Sequence, residues 1–360
     1  MLYIRVDGNP AIGTGHIMRC LSIADAMCLR GQETTFIVGE DHMAPLFSER
    51  GYPVVVLNSR GDTLGNALAW DTLESEIPTL TALIKSQNIK KLLIDSYFVT
   101  PAYLQKLCGL TYVAYIDDLD AFHYPCHMLI NYNCYYDQFD YPRYYPQTKL
   151  LLGCQYAPLR GEFQNLSRRV LHRNVGSVLI TTGGNDSRNI AGKLVRRAKN
   201  AQGPQGPQGL QDSQGSQGLK NLVFHIVAGS FNPYINELRQ MEKEYEDVFI
   251  HSSVQTMSQL MLDCDIAVSA GGSTLYELCA CGTPTVAFAL AENQLDGVAS
   301  LGNGFMISAG DVRESEELCL ERILEGISHL VTNYRMRLDF SEKMQHLVDG
   351  QGALRIAGEL

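Results

Sequence analysis

The sequence lacks the features of an exported or membrane-spanning chain. No apolar run approaches the roughly 20 residues that a membrane helix needs, and no basic segment followed by an apolar one opens the chain, so no signal peptide is expected. The ten cysteines include no CxxC pair, which is typical of reduced core cysteines rather than of a disulfide framework. Lysine and arginine number 29 against 39 aspartates and glutamates, so nucleic acid and anionic membranes are poor candidate partners. We expect an acidic, cytoplasmic protein.

Short apolar runs instead alternate with helical patterns along the whole chain. At 360 residues, with 45% hydrophobic and 19% charged residues, the chain is long enough for about two globular domains. Residues 16–30 place Ile17, Leu21, Ala24 and Cys28 on one helical face. The alternation predicts an α/β fold with parallel sheets. Strands are expected at 2–6, 35–38, 54–57, 92–94, 112–116, 178–181, 222–227, 248–251, 266–269 and 285–288.

Composition also predicts the domain organisation. The sequence divides into an N-terminal domain (1–155), a linker (156–175), a second α/β domain (176–340) and a C-terminal helical segment (341–360) that crosses back to the first domain. Two such domains are expected to enclose a cleft at the carboxyl ends of their strands.

Two biased segments interrupt this pattern. Residues 202–219 repeat Gln-Gly triplets, but Asp212 breaks the glycine period and a triple helix needs three unbroken chains, so a flexible surface insertion is predicted. Residues 131–146 are rich in aromatic side chains. They are interpreted either as an ordered loop that packs on its own domain or as a lid that stacks on a sugar.

The turn after the first strand is the first candidate for chemistry. It contains Gly13 and Gly15, but Met18 replaces the third glycine of a dinucleotide fingerprint, so no nicotinamide cofactor is expected. His16 lies in the first turn of the following helix, where the helix N-terminus favours a neutral imidazole that can accept a proton. The glycines and the nearby Asp7 favour a catalytic His16, and a capping or solvated histidine is the structural alternative.

A second glycine turn resembles an anion site. Residues 270–274 read Ala-Gly-Gly-Ser-Thr and lead into a helix, so their backbone N–H groups can hold a diphosphate without a lysine. Glu277 lies on the same helical face as Ser273 and can accept hydrogen bonds from both hydroxyls of a ribose. The competing interpretation is a capping box from Thr274 to Glu277. A similar turn at 181–186 ends in Asp186, which is a candidate helix N-cap.

Metal sites are not predicted. His123, Cys126, His127 and Cys134 are zinc-ligand types, but their spacing favours a structural cluster. Residues 118–120 read Asp-Leu-Asp after a strand, as a metal-binding DxD motif would. The two glycine turns favour a metal-free diphosphate site instead.

Taken in order, several motifs resemble the hydrolases that remove UDP during pseudaminic acid biosynthesis. The ordered set, from residue 4 to about 295, carries the resemblance, and no single motif decides it. The matching segments are Arg5-x-Asp7, Ile12-Gly13-x-Gly15-His16-x-x-Arg19, Ile94-Asp95-Ser96-Tyr97, Ile116-Asp117-Asp118, Tyr156-Ala157-x-Leu159-Arg160-x-Glu162-Phe163, Gly183-Gly184-x-Asp186, Ser269-Ala270-Gly271-Gly272-Ser273-Thr274-x-Tyr276-Glu277, Gly282-x-Pro284 and Asn293-Gln294.

The resemblance implies a GT-B fold of two Rossmann-like domains, similar to the transferase that adds N-acetylglucosamine to the peptidoglycan lipid precursor. It implies that water attacks the anomeric carbon of UDP-2,4-diacetamido-2,4,6-trideoxy-β-L-altropyranose, that the C1–O bond breaks with inversion, and that no cofactor takes part. His16 matches the general base, Tyr97 a residue that positions sugar or water, and Glu277 the ribose ligand. The 202–219 insertion and His127, where an acidic residue is expected, depart from the family. The implied site comprises catalytic His16, Tyr97 and Asp7, and substrate-binding Gly13, Gly15, Arg160, Gly184, Asn185, Gly272, Ser273, Thr274, Tyr276, Glu277, Asn293 and Gln294.

Two other functions stay open. A GT-B glycosyltransferase with a lipid or sugar acceptor is less favoured, because residues 1–150 hold 11 basic and 16 acidic side chains and so lack a basic membrane-docking face. A non-catalytic protein that binds a nucleotide sugar would keep the second glycine turn but would not need His16.

Overall fold

The structure is a computed structural model that describes residues 1–7, 15–57, 73–200, 219–229 and 232–360. The chain forms two compact units. The first contains Met1–Gly161 together with Gly350–Leu360, and the second contains Glu162–Asp349. Gly13 and nearly all of the predicted 202–219 insertion lie outside the described residues.

The first unit is built on a seven-stranded parallel sheet in the order β3-β2-β1-β4-β5-β6-β7. Its central strands are almost wholly buried, as expected for a parallel sheet covered by helices. The strands are β1 Leu2–Val6, β2 Thr34–Val38, β3 Val54–Val56, β4 Lys91–Asp95, β5 Tyr112–Ile116, β6 Met128–Asn131 and β7 Lys149–Leu152. The helices are α1 Gly15–Leu29, α2 Pro45–Ser48, α3 Ile77–Ser86, α4 Pro101–Cys108 and α5 Tyr141–Tyr144.

Local sequence fixes where these helices begin and end. The hydroxyl of Thr100 caps α4 by accepting from the backbone N–H of Tyr103, and Pro101 occupies the first turn. Helix α1 ends at Leu29 and is followed by Gly31, which has φ +70°. There the N–H of Gln32 donates to the carbonyl of Met27 at 3.0 Å, which closes the last turn.

The second unit repeats this architecture on a six-stranded parallel sheet in the order β10-β9-β8-β11-β12-β13. The strands are β8 Ser177–Thr181, β9 Val223–Ala228, β10 Val248–Ser252, β11 Ile266–Ala270, β12 Thr285–Ala289 and β13 Ile307–Asp311. The helices are α6 Ile190–Asn200, α7 Ile235–Glu244, α8 Met257–Asp263, α9 Thr274–Cys281, α10 Leu295–Gly302, α11 Glu316–Thr332 and α12 Tyr334–Leu347.

The chain then returns to the first unit with α13, Gly352–Glu359, which packs on α1. The predicted single helical pattern at 341–360 is thus two helices in two units. Residues 156–161 of the predicted linker lie in the first unit and residues 162–175 in the second.

The predicted α/β class with two parallel-sheet domains is confirmed. All ten predicted strands are present, with ends that differ by one or two residues. Strands β6, β7 and β13 were not predicted. Within the described residues, no helix is both long and apolar enough to cross a membrane.

Candidate functional site

Polar side chains of the first unit gather at one edge of its sheet. Strands β1, β4, β5 and β6 are consecutive neighbours and parallel, so their carboxyl ends share this edge. Asp7 follows β1, Asp95 ends β4, and Asp118 comes shortly after β5. Helix α1 adds His16 and Arg19, which are three residues apart and therefore lie on the same helical face.

His16 is bonded to Asp95. Its Nδ1 lies 2.5 Å from Oδ1 of Asp95, whose side chain is completely buried. Burial alone would raise the pKa of Asp95, but the charge of Arg19 and then His16 outweigh it and hold that pKa well below its usual range. Since an ionised carboxylate can only accept, His16 Nδ1 must carry the proton in this bond. In the neutral ring, Nε2 is then left with the lone pair.

Arg19 connects this pair to the neighbouring strands. Its guanidinium donates to both oxygens of Asp95, at 2.6 Å from Nε and 2.5 Å from one terminal nitrogen. The other terminal nitrogen donates to Asp118 at 3.1 Å and to the hydroxyl of Tyr132 at 2.9 Å. The guanidinium is almost fully buried, and this one cation lies between two carboxylates, that of Asp95 at the end of β4 and that of Asp118 shortly after β5.

Tyr97 contacts both His16 and Asp118. Its ring meets the imidazole edge to face, with centroids 4.6 Å apart. Its hydroxyl donates to Asp118 Oδ2 at 2.9 Å. Burial, followed by the charge of Asp118, raises the pKa of Tyr97 far above its usual value, so the hydroxyl stays a neutral donor. The structure thus brings together the predicted His16 and Tyr97.

Asp7 takes part in a different set of contacts. Its carboxylate accepts from Arg5 at 2.8 Å and from the hydroxyl of Ser96. Arg5 also makes a two-point ion pair with Glu76, at 2.8 and 2.9 Å, and its side chain is completely buried. The carboxylate that contacts His16 Nδ1 is therefore that of Asp95, while Asp7 belongs to the Arg5 network.

The aromatic loop at 131–146 packs on its own unit. Tyr135, Tyr141 and Tyr145 are buried. The hydroxyl of Tyr141 donates to Asp117 at 2.5 Å. This burial supports the interpretation as an ordered packing loop.

Two histidines of the group His123, Cys126, His127 and Cys134 also make packing or backbone contacts. The His123 ring stacks on Tyr145 with centroids 4.6 Å apart, and His127 accepts a hydrogen bond from the backbone N–H of Val113 at 3.0 Å. No group of three possible ligands that could hold a metal ion occurs in the part of the chain that the structure describes.

In the second unit, the predicted binding residues follow three adjacent strands. Gly184 and Asn185 come after β8, Gly272 to Glu277 after β11, and Asn293 and Gln294 after β12. A Cβ atom on Gly271 would lie 3.0 Å from Cβ of Gln294, so two of these turns approach closely. A Cβ atom on Gly272 would meet no atom within 4 Å, which leaves its backbone approachable.

One polar residue near these turns has a structural role, because it caps a helix. Both carboxylate oxygens of Asp186 accept backbone N–H groups of α6, from Ile190 at 2.9 Å and from Ala191 at 3.0 Å. Ser273, in contrast, makes no side-chain cap on α9. The hydroxyl of Thr182 is buried and has no hydrogen-bond partner among the described residues, which is unfavourable unless another group or water supplies one. This turn therefore retains unused polar groups. Arg160 belongs to the first unit, near the end of its continuous part.

Sequence reasoning gave no individual role to Arg19. It left four carboxylates that follow predicted strands as possible partners of His16, namely Asp7, Asp95, Asp117 and Asp118. The spacing of His16 and Arg19 was a usable signal, because residues three apart on a helix share a face. The pairing of Arg19 with Asp95, however, follows from the sheet order.

No family model matches the chain. It is 24% identical over 214 residues to the spore coat polysaccharide biosynthesis protein SpsG of Bacillus subtilis (strain 168), covering 59% of this chain and 58% of SpsG. It is 21% identical over 307 residues to the uncharacterized protein MJ1062 of Methanocaldococcus jannaschii, covering 81% of this chain and 56% of that protein. The chain thus spans less than two thirds of the length of these curated relatives.

Solved structures resemble the chain over almost its whole length. MurG of Acinetobacter baumannii has a TM-score of 0.67 at 11% identity, with 99% of this chain and 98% of MurG covered. UGT71G1 of Medicago truncatula, solved with UDP-glucose, has a TM-score of 0.64 at 13% identity, with 99% and 96% covered. The spinosyn rhamnosyltransferase SpnG, solved with thymidine diphosphate, has a TM-score of 0.62 at 16% identity, with 100% and 99% covered. Likeness at these identities establishes the fold alone. The chain has the GT-B fold.

Proposed function

We propose that the protein is a hydrolase that removes UDP from UDP-2,4-diacetamido-2,4,6-trideoxy-β-L-altropyranose. Water attacks the anomeric carbon, the C1–O bond breaks with inversion, and the products are UDP and the free sugar. The bond between His16 Nδ1 and Asp95 carries this proposal, because it leaves Nε2 available to accept a proton. The proposal places the reaction in pseudaminic acid biosynthesis.

His16 acts as the general base in this reaction. Its Nε2 takes a proton from water as the oxygen attacks the oxocarbenium-like carbon, and such proton transfer contributes about 10²–10⁴-fold to the rate. Asp95 fixes the tautomer and stabilises the imidazolium that forms. Tyr97, whose ring contacts the imidazole, orients the sugar or the attacking water.

The second unit holds the departing UDP. The turn at Gly271 and Gly272 and the N-terminus of α9 offer backbone N–H groups to the diphosphate. Ser273, which does not cap the helix, and Gly184 add further polar contacts. Glu277 accepts the hydroxyls of the ribose. The solved complexes of UGT71G1 with UDP-glucose and of SpnG with thymidine diphosphate support a nucleotide as the ligand of this fold.

A glycosyltransferase with the same donor is the second candidate. The solved structures that resemble the chain include the rhamnosyltransferase SpnG. In this case His16 deprotonates a hydroxyl of an acceptor instead of water.

Turnover of the UDP-linked diacetamido sugar in ¹⁸O-labelled water, without metal or acceptor, distinguishes these candidates. We expect the label in the released sugar, found by mass spectrometry. Label in UDP would show attack at phosphorus and would contradict the proposed role of His16. No turnover, with UDP still bound, would favour a transferase or a non-catalytic binding protein.

A matched pair of variants tests whether the first unit supplies the general base and the second unit binds UDP. His16→Ala is expected to lower turnover by at least about 100-fold and leave UDP affinity within about twofold, since the base does not hold the nucleotide. Glu277→Gln is expected to weaken UDP binding instead. Full turnover by His16→Ala would overturn the general-base assignment.

A further inference from the structure

Arg19 is more than a buried counter-ion of Asp95. Its guanidinium uses three nitrogens to contact Asp95, Asp118 and Tyr132, and its charge lies beside the imidazole. The terminal nitrogen that donates to Asp95 is only 2.9 Å from His16 Nδ1. Both nitrogens act as donors toward the same carboxylate oxygen, so this short distance is a contact between neighbouring donors and not a hydrogen bond.

We propose that Arg19 is a positioning residue whose charge opposes protonation of His16 and which, through Asp118, holds Tyr97 against the imidazole. This inference rests on the proposed function, because it assigns the residue that prepares the general base. Arg19 touches neither water nor sugar in it.

The charges support the first part of this role. A carboxylate beside a histidine normally favours the imidazolium, which cannot accept a further proton. Here Arg19 donates to both oxygens of Asp95, so its positive charge offsets part of the attraction of this carboxylate for an imidazolium. Asp95 can therefore orient the ring without making it a permanent cation.

Other groups around this network do not replace the positive charge of Arg19. Cys20 donates to Asp95 Oδ2 at 3.3 Å, and burial keeps its pKa well above the usual thiol value, so it stays neutral. Burial also raises the pKa values of Tyr97 and Tyr132, so both hydroxyls stay neutral. Asp118 is the remaining anion, and Arg19 contacts it directly. Among the described groups in contact with the network, Arg19 is thus the permanent cation.

The second part of the role concerns Tyr97. Oδ2 of Asp118 accepts from both Arg19, at 3.1 Å, and the hydroxyl of Tyr97, at 2.9 Å. Arg19 therefore holds the Asp118 carboxylate in place, and this carboxylate in turn holds the hydroxyl of Tyr97. Arg19 thus orients both His16, through Asp95, and the Tyr97 ring that contacts the imidazole, through Asp118.

Two substitutions separate the charge of Arg19 from its shape. Arg19→Gln removes the charge, so the imidazolium should form at higher pH. We expect the acid limb of the kcat/KM profile to move up by about one pH unit. Arg19→Lys keeps the charge but cannot donate to Asp95 and Asp118 in a fixed fork. We expect it to leave the acid limb within about 0.3 pH units of wild type, and to lower kcat about tenfold with little change in KM.

Arg337→Gln is the matched control. Arg337 is another buried arginine, but it lies in the second unit and donates to backbone carbonyls of Val331 and Arg173. Its loss should lower stability without moving the acid limb. A shift equal to that of Arg19→Gln would show that the effect is a general result of losing a buried arginine, and would overturn the proposal. A kcat/KM–pH profile that is unchanged in both Arg19 variants would also overturn the proposal.

The ring state of His16 can be measured without activity. Long-range ¹H–¹⁵N spectra of the wild-type protein, with His16→Gln used for assignment, should show a neutral ring at pH 7 that is protonated on Nδ1. A protonated ring, or the other tautomer, would overturn the proposal even if no Arg19 variant folds. If the expected spectrum is found but the wild type releases no sugar, the proposed hydrolysis fails while the role of Arg19 stands.

Discussion

At the scale of single residues, Asp95 shows how a buried carboxylate can be kept ionised. Its side chain is fully buried, and both oxygens are occupied by Arg19 and His16. An unpaired carboxylate at this place would lose several kcal/mol of hydration free energy, roughly, without compensation. Because the pKa of Asp95 is lower in the folded chain than in the unfolded one, its ionisation stabilises the fold at neutral pH. That contribution is lost as the pH falls below the unfolded value, near 4.

We therefore expect Asp95→Asn to destabilise the protein by about 3–5 kcal/mol at pH 7, because it leaves Arg19 without its main partner. The difference from wild type should shrink by about 1 kcal/mol at pH 3, because Asp95 then loses part of its advantage in the wild type and the amide does not titrate. Urea unfolding of both proteins at pH 7 and at pH 3 measures this difference in the free energy of unfolding.

Asp140→Asn is the control, since the Asp140 side chain is 57% exposed beside Arg143. Its effect should stay within about 0.5 kcal/mol at both pH values. A difference for Asp95→Asn that does not change with pH would mean that folding does not lower the pKa of Asp95.

The residues of this network were predictable as a set but not as pairs. The sequence places Asp7, Asp95, Asp117 and Asp118 after strands, and parallel strands bring such ends together. Which carboxylate meets His16 depends on β4 lying beside β1, a pairing between segments about 90 residues apart. Local patterns contain no information on that neighbour relation.

At the scale of elements, one buried arginine joins the segment at 162–175 to the helices of the second unit. Arg337 lies near the start of α12, and its guanidinium donates to the carbonyls of Leu330 and Val331 in the last turn of α11. It also donates to the carbonyls of His172 and Arg173, at 3.0 and 2.7 Å. The carbonyls of Leu330 and Val331 lie at a helix C-terminus, where a positive charge is favourable.

We expect Arg337→Met to lower the free energy of unfolding of the second unit by more than about 2 kcal/mol, because four backbone carbonyls lose a charged donor. Hydrogen exchange should be faster in α11 and at residues 172–173. Arg168→Met is the comparison, because Arg168 pairs with Glu342 at the surface with its side chain 75% exposed. It should change stability by less than about 0.5 kcal/mol. Equal effects of the two substitutions would contradict the anchoring role.

Elements with a strong apolar pattern were predictable, and the missed ones have a physical reason. Strands β6 and β7 have only four residues each, too few to show a period beside an aromatic-rich loop. Strand β13 contains Gly310 at φ +88°, and its register with β12 shifts between Ala287 and Ala289. An interior glycine and an irregular register remove the pattern on which strand prediction depends.

At the scale of the whole molecule, the chain leaves the first unit at Gly161 and completes it only with its last residues. Helix α13 packs on α1, which carries His16 and Arg19. Ile356 in α13 is fully buried. The position of the candidate base thus depends on a segment more than 330 residues later in the sequence.

The close approach of α13 to residues 156–157 makes this dependence testable. A Cβ atom on Gly352 would lie 2.2 Å from the backbone oxygen of Ala157 and 2.5 Å from its nitrogen, so only glycine fits there. Gly358, at the other end of the same helix, would place a Cβ atom 3.7 Å from the side chain of Arg30, an ordinary contact. The two glycines form a matched pair in one helix.

We expect Gly352→Ala to displace α13 and destabilise the first unit by about 1–3 kcal/mol, because backbone atoms cannot move aside as a side-chain end can. Gly358→Ala should be neutral or stabilise by up to about 1 kcal/mol, since alanine favours the helix. Hydrogen exchange measured by mass spectrometry should show faster exchange in α1 for Gly352→Ala, with the second unit unchanged. If α1 exchanges at the wild-type rate while α13 is released, the helix that carries His16 does not need the C-terminal segment for its order.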